Sequence, residues 1–186
     1  MRWLTLALWI IACLAVGGFG GLWTAPEIPG WYRTLAKPSF NPPSWIFGPV
    51  WTALYILMAI AAWRVTDSPD SPARTLGLAL FVLQLLLNLA WSWIFFHRHA
   101  IGPAALEVAL LWCAIGATTL VFSRVSTTAA WLMAPYWAWV TFASVLNASI
   151  WRLNPQDGAS DIGACTQGSR AGWVGASGAA LSRRGG

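Results

Sequence analysis

L76-G-L-A-L-F-V-L-Q-L-L-L-N-L-A-W-S-W-I-F-F96 runs for twenty-one residues without a charge. A helix of about 20 apolar residues is what crossing the bilayer's hydrocarbon core requires. Gln84 and Asn88 interrupt the run four residues apart, and Trp91, Ser92 and Phe95 continue the same helical face. An amide turned toward lipid is costly, so this face must point at other parts of the protein. The stretch reads as a membrane-spanning helix with one polar, aromatic side.

The composition of the 186-residue chain agrees: 58% of residues are hydrophobic and 9% charged. Soluble domains carry roughly 25% charged residues. Four more apolar segments of spanning length surround the first, near Trp3–Trp23, Trp45–Val65, Pro103–Phe122 and Ala129–Trp151. DSPDSP (67–72), HRHAIGP (97–103) and SRVSTT (123–128) are short links with breakers or polar residues. Strand alternation is absent, and in lipid the backbone must bond to itself, so helices are expected rather than a barrel. Short links favour antiparallel neighbours. The expected fold is an all-α membrane protein, a single five-transmembrane-helix bundle over residues 1–154.

From Pro155 the chain becomes rich in Gly, Ser, Ala and Arg, so 155–186 is expected to be a disordered tail with too little apolar surface to fold. Arg2 followed by an apolar run resembles a signal peptide, and I10-I-A-C13 a lipoprotein box. The run continues to Trp23, so an uncleaved first helix is expected. Five crossings set Arg2, Arg64, Arg74 and Arg124 against Arg33, Lys37, Arg98 and Arg152, with no majority to orient the chain. The net charge of +5 contains no Lys/Arg run, which argues against nucleic acid as a partner.

Fifteen tryptophans are far above ordinary usage. Indole favours bilayer interfaces and flat apolar ligands. Trp139, Ala143, Asn147 and Trp151 recur every four residues in the fifth segment; Phe47, Trp51 and Tyr55 do so in the second. Two readings stand for the amides Gln84, Asn88 and Asn147: hydrogen-bonded glue between helices, or polar points in a ligand slot. For the tryptophans the alternatives are core packing, an interface belt, or the walls of that slot, with Ala143 leaving room beside Trp139. Between the first two segments lies W31-Y-R-T-L-A-K-P-S-F-N-P-P-S-W45, stiffened by Pro38, Pro42 and Pro43. It is either an interfacial anchor or a rigid cover over the bundle mouth.

Glu107 is the one acid inside a predicted span, and a structural place near the helix start is expected for it. His97 and His99, two apart in a turn, do not share a helical face, and no metal site is expected. Cys13 and Cys113 sit in apolar runs as small hydrophobes. Gly17 and Gly21 form a GxxxG spacing suited to close helix approach within the bundle or between protomers.

W31-Y-x-x-L-x-K-P-x-x-x-P-P-x-x-x-F47-x-x-V-W51-x-x-L-Y55-x-x-M58 resembles a signature of the TspO/MBR family, the tryptophan-rich sensory proteins and translocator proteins (peripheral benzodiazepine receptors). Q84-L-x-L-N88-x-x-W91-S-x-x-F95-F96 is similar to a second. Pro135, Tyr136, Trp139, Phe142, Ala143, Leu146, Asn147, Trp151, Arg152 and Asn154 are similar to a third. The resemblance covers residues 1–154. It implies a five-helix bundle, often dimeric, with a pocket beneath the first loop. It further implies porphyrins such as protoporphyrin IX, haem-pathway intermediates, sterols or benzodiazepine-type compounds as ligands, with no separate cofactor.

Carried over by position, Tyr32, Trp51, Asn88, Trp91, Trp139, Ala143 and Asn147 are the implied pocket, and the opening loop its lid. Trp51 and Trp139 match the tryptophan pair implicated in light-dependent porphyrin breakdown. Ala148 and Ser149 stand where the animal members' sterol pattern needs a tyrosine, so that pattern is missing. Three functions follow: a tetrapyrrole-binding sensor or facilitator of tetrapyrrole movement, a porphyrin photodegrading enzyme, and a small secondary transporter. The near absence of membrane acids and of an inverted repeat weighs against the last.

Overall fold

The computed structural model describes residues 2–155. The tail beyond Pro155, with Cys165 and Trp173, lies outside the described residues. The described chain is helical throughout: α1 (Arg2–Glu27), α2 (Trp31–Thr34), α3 (Phe47–Thr66), α4 (Pro72–Ser92), α5 (Ile101–Ser123) and α6 (Thr127–Leu153). A 3-10 turn (Ser44–Ile46) leads into α3, and a π turn (Trp93–His97) extends α4. With these turns included, five helices are long and apolar enough to cross a membrane.

The boundaries have local causes. Ser71 caps α4 by accepting from the Arg74 amide, with Pro72 in the first turn, where its missing N–H costs nothing. Ser126 caps α6 by accepting from the Ala129 amide. Pro135 lies inside α6, which a helix packed among others in lipid tolerates.

Around the bundle the order is α1, α3, α6, α5, α4, and α4 closes the ring against α1. The short links place α4 beside α5 and α5 beside α6, as expected. The 67–71 link does not make α4 a principal partner of α3: α3 packs chiefly on α1 and α6. Tyr55 and Met58 of α3, with Gln84 and Asn88 of α4, fill the space between those two helices.

Two apolar clusters result. One, around Met58, Phe81, Leu111, Ile115, Met133 and Tyr136, occupies the half away from the loop. The other, Tyr32, Leu35, Phe95, Phe96, Ile101, Ala104, Leu146 and Ile150, lies under the loop. Outward-facing Leu4, Leu8, Ile11, Leu106, Leu110 and Leu120 present the apolar surface that acyl chains would solvate.

Candidate ligand-binding site

A cavity of about 460 Å³ lies between the two clusters, enclosed by α1, α3, α4, α6 and the α1–α3 loop. This is within the range of small-molecule pockets. Tyr32, Trp51, Asn88, Trp91, Trp139, Ala143 and Asn147, read from three separated motifs, all line it. Phe47 and Tyr55 complete the α3 stripe along the same wall. Of the α6 stripe, Trp151 departs: it is exposed, and its ring lies against Gly102 of α5. Gln84 does not line the cavity; it is buried one turn beyond, against Met58.

The aromatic walls brace one another. Trp51 stands 5.7 Å from Tyr55 and 6.2 Å from Tyr136, ring centre to ring centre. Trp139 packs edge-on against Phe47 at 6.1 Å, and Trp91 stacks on Phe95 at 5.2 Å. Rings held this way lose little further freedom when a flat ligand slides between them.

Both amides take part in bonds between helices. Tyr55 donates its hydroxyl to Asn88 Oδ1 at 2.5 Å, and Asn88 Nδ2 donates to the Tyr136 hydroxyl at 3.2 Å. Trp91 Nε1 donates to Asn147 Oδ1 at 3.1 Å, while Asn147 Nδ2 donates to the Ile101 carbonyl at 3.1 Å. Glue and lining, posed as alternatives, thus coincide in Asn88 and Asn147. The glue holds the lining in place.

The empty space itself comes from α1. V16-G-G-F-G-G21 presents Gly17, Gly18, Gly20 and Gly21 to the cavity, where side chains would otherwise fill it. The GxxxG expectation needs correcting in detail. A Cβ on Gly17 would fall 2.5 Å from the Tyr55 ring and one on Gly20 3.1 Å from Ser92 Oγ, so these two make the close approaches. A Cβ on Gly21 or Gly18 would meet nothing within 4 Å. Gly21 makes room instead of contact.

The exposed lining residues are Leu14, Gly18 and Ala25 on α1 and Ser44, Gly48 and Thr52 around the start of α3. The lining from α4 and α6 is largely buried, including Asn88, Leu146, Asn147 and Ile150. The cavity therefore opens sideways between α1 and α3, and the loop closes it from the membrane surface.

That loop is tied down. Ala36 donates its amide to Asn154 Oδ1 at 3.0 Å, and Asn154 Nδ2 donates to the Ala36 carbonyl at 2.9 Å, joining the loop to the end of α6. Tyr32, pushed up to about 12 by burial, stays protonated at neutral pH and donates to Asn41 Oδ1 at 2.8 Å. Lys37 lies over the Tyr32 ring and donates to the Arg33 and Leu35 carbonyls. At the other edge His99 Nε2 meets Glu27 Oε2 at 3.0 Å and its ring stacks on Trp31 at 4.2 Å. His97 and His99 thus serve separate contacts, the former beside Trp23 and Trp93.

Asn154→Ala should loosen the cover without unfolding the bundle. Two exposed hydrogen bonds contribute about 1 kcal/mol net, so ligand release should quicken roughly fivefold. Stopped-flow dissociation measures this; an unchanged rate would mean that the strap has no part in retention.

Chemically, the site offers apolar faces and a few fixed amide and phenol groups. Among the described residues no cluster of His, Cys, Asp or Glu could hold a metal ion.

Comparison with known proteins places this architecture. The TspO/MBR family profile matches residues 9–152. The chain belongs to the TspO/MBR family. It is 46% identical over 153 residues to the tryptophan-rich protein TspO of Chlorobaculum tepidum, covering 82% of this chain and 97% of that one. It is 41% identical to protein CrtK of Rhodobacter capsulatus, over 80% of this chain and 92% of the relative. Human translocator protein is 40% identical over 126 residues, 67% of this chain and 75% of the human protein. As a TspO/MBR member with five candidate spans, the chain is an integral, multi-pass membrane protein.

Proposed function

We propose that this TspO/MBR protein binds a tetrapyrrole, of which protoporphyrin IX is the probe of choice, in the α1–α3–α4–α6 cavity. On this reading it acts as a sensor or as a facilitator of tetrapyrrole movement. The observation that carries the reading is the convergence of Trp51, Trp91 and Trp139, from three helices, on one glycine-backed cavity. Flat apolar rings are what indole walls accommodate best. The side opening suits a ligand that partitions into lipid before it binds. Relatives bear the names tryptophan-rich sensory protein and translocator protein, consistent with sensing or movement.

Protoporphyrin IX titrated into the protein in lipid nanodiscs should quench tryptophan fluorescence saturably, at one ligand per chain. Non-saturating quenching equal to that of empty nanodiscs plus free tryptophan would overturn the proposal. A sensor and a facilitator then separate in vesicles: a facilitator speeds porphyrin exchange between membranes, and a sensor binds without doing so.

One arrangement favours a second reading. Trp51 sits against both Tyr55 and Tyr136, an oxidisable aromatic chain beside the cavity. A photoexcited porphyrin there could draw an electron from Trp51. Protein-dependent loss of the porphyrin band under light and oxygen, beyond one equivalent, would make the protein an enzyme. Loss that stops at one equivalent marks a sacrificial donor.

A further inference from the structure

Four acids lie in the described chain. Asp67 and Asp70 pair with Arg2 and Arg74 at the end of the bundle away from the loop. Glu107 is buried inside α5 without a hydrogen-bond partner, deeper than the interfacial place expected of it. Glu27 stands at the rim of the cavity: Thr24, Ala25 and Ile28, on either side of it, belong to the lining.

The partner of Glu27 is His99, in the turn between α4 and α5, with Nε2 3.0 Å from Oε2 across 72 positions. His99 is the one non-glycine residue described with a positive φ, at 53°. A left-handed backbone is uncommon outside glycine, and it persists where the surrounding structure requires a side chain to be aimed. Here the turn aims the imidazole at the Glu27 carboxylate and lays it on Trp31, ring centres 4.2 Å apart and planes 21° from parallel.

Trp31 carries this contact inward. Its ring meets Phe95 at 5.6 Å edge-on, Phe95 stacks on Trp91 at 5.2 Å, and both Phe95 and Trp91 line the cavity. Trp31 also opens α2, whose next residue, Tyr32, lines the cavity and bonds to Asn41 within the cover. The end of α1, the start of the cover and the α4–α5 turn thus meet at one imidazole.

The other charged and titratable groups near the ring are engaged elsewhere. In the turn, Arg98 lies over Trp93 at 5.4 Å and His97 stacks on the same indole at 6.1 Å. On α2, Tyr32 donates to Asn41 and Arg33 is exposed, without an ion pair among the described residues. Lys37 bonds to the Arg33 and Leu35 carbonyls. Glu27 is the charge that α1 brings.

We propose that the His99–Glu27 pair, seated on Trp31, is a proton-operated latch on the cover of the cavity. With the ring protonated, its N–H makes a charge-assisted bond to the carboxylate and an imidazolium lies on the indole face. With the ring neutral, both contacts weaken. The proton comes from water and returns to it; no other bond changes. Acid therefore closes the cover, and a rise in pH loosens it. Histidine is the side chain suited to this, because imidazole ordinarily changes charge between about pH 5 and 8.

The two side chains are 42% and 29% exposed, so water reaches the pair and screens it. The expected effect on ligand release is accordingly modest, about two- to fivefold. The ligand side of this inference rests on the proposed function; the latch itself does not.

Nuclear magnetic resonance of the ligand-free full chain in nanodiscs tests the latch. The Trp31 indole N–H should shift as pH moves between about 5 and 8. His99→Asn, which suits a left-handed backbone, should abolish that shift, and His97→Asn should leave it. Glu27→Gln keeps the ring but removes its charge partner, and should diminish the shift even if His99→Asn folds poorly. A Trp31 signal that pH does not move, or one that moves equally in wild type and His99→Asn, would overturn the latch.

Stopped-flow release of protoporphyrin IX is the second arm. The ligand's own carboxylates titrate alike in both proteins, so the ratio of His99→Asn to wild-type rates isolates the latch. That ratio should be about two- to fivefold at the acid end and fall toward one at the alkaline end. A ratio that stays constant would refute the link to ligand release while leaving tetrapyrrole binding intact. Absence of binding by the wild type would refute the proposed function, and the Trp31 signal would still decide whether the latch exists.

Discussion

Gly21→Leu is expected to fold and melt like the wild-type protein while losing most of its affinity for protoporphyrin IX. A Cβ at this position meets nothing within 4 Å, so the added side chain enters the cavity without pressing on the bundle. A ligand must then share its space with an isobutyl group. Overpacking of this kind costs about 1–3 kcal/mol, or roughly 5- to 150-fold in Kd.

Gly17→Leu, one turn earlier, should instead destabilise the fold. Its Cβ would fall 2.5 Å from Tyr55 Cε2, and the ring it displaces is bonded to Asn88. The cost is overpacking of about 1–3 kcal/mol plus a lost buried hydrogen bond of about 1 kcal/mol. Thermal unfolding in detergent separates the two variants. Equal melting points, or equal ligand affinity for Gly21→Leu and wild type, would contradict the roles assigned to the two glycines.

The second large effect belongs to the indoles. Trp51 reaches the cavity from α3 and Trp139 from α6. Each aromatic pairing with a flat ligand contributes about 0.5–1.5 kcal/mol beyond the area it buries. Replacing both by phenylalanine keeps an apolar wall but shrinks the stacking surface. The double variant should bind about tenfold more weakly or worse, at the lower end of the roughly 1–3 kcal/mol those pairings represent. Absorbance of the porphyrin band avoids the altered tryptophan signal. Trp3→Phe with Trp63→Phe is the control: those rings stack on each other at 6.0 Å beside Arg2, away from the cavity. A control variant as impaired as the Trp51/Trp139 variant would place binding elsewhere.

Much of this was legible in the linear chain because lipid imposes simple rules. Twenty-residue runs without charge can hardly be anything but spans, and the Ser–Pro and Ser–Thr links mark their caps. Residues four apart share a face whatever their partners, which makes Trp51 with Tyr55, and Trp139 with Ala143 and Asn147, legible as stripes; that these stripes line a pocket is what the family resemblance implies, since spacing alone also fits core packing. Other features depend on which helices meet, and nothing local encodes that. The packing of α3 on α1 and α6 is one such feature. Asn154 clamps Ala36 across 118 positions, and Trp91 of α4 donates to Asn147 of α6 across 56.

The helix changes pitch after Ser92: Trp93–His97 form a π turn, in which Phe95 and Phe96 are both buried. Glycine was the residue most easily misread. GxxxG spacing signals contact, yet in α1 half of the glycines make contact and half make space. Only the neighbours opposite, Tyr55 and Ser92 in one case and nothing in the other, distinguish them.

Nuclear magnetic resonance of the fifteen indole N–H groups during a protoporphyrin IX titration tests the central claim most directly. Trp51, Trp91 and Trp139 should shift together and saturate at one ligand per chain, while the outward-facing Trp3 and Trp131 stay unmoved. Shifts confined to the outer indoles, with those three unmoved, would contradict the account.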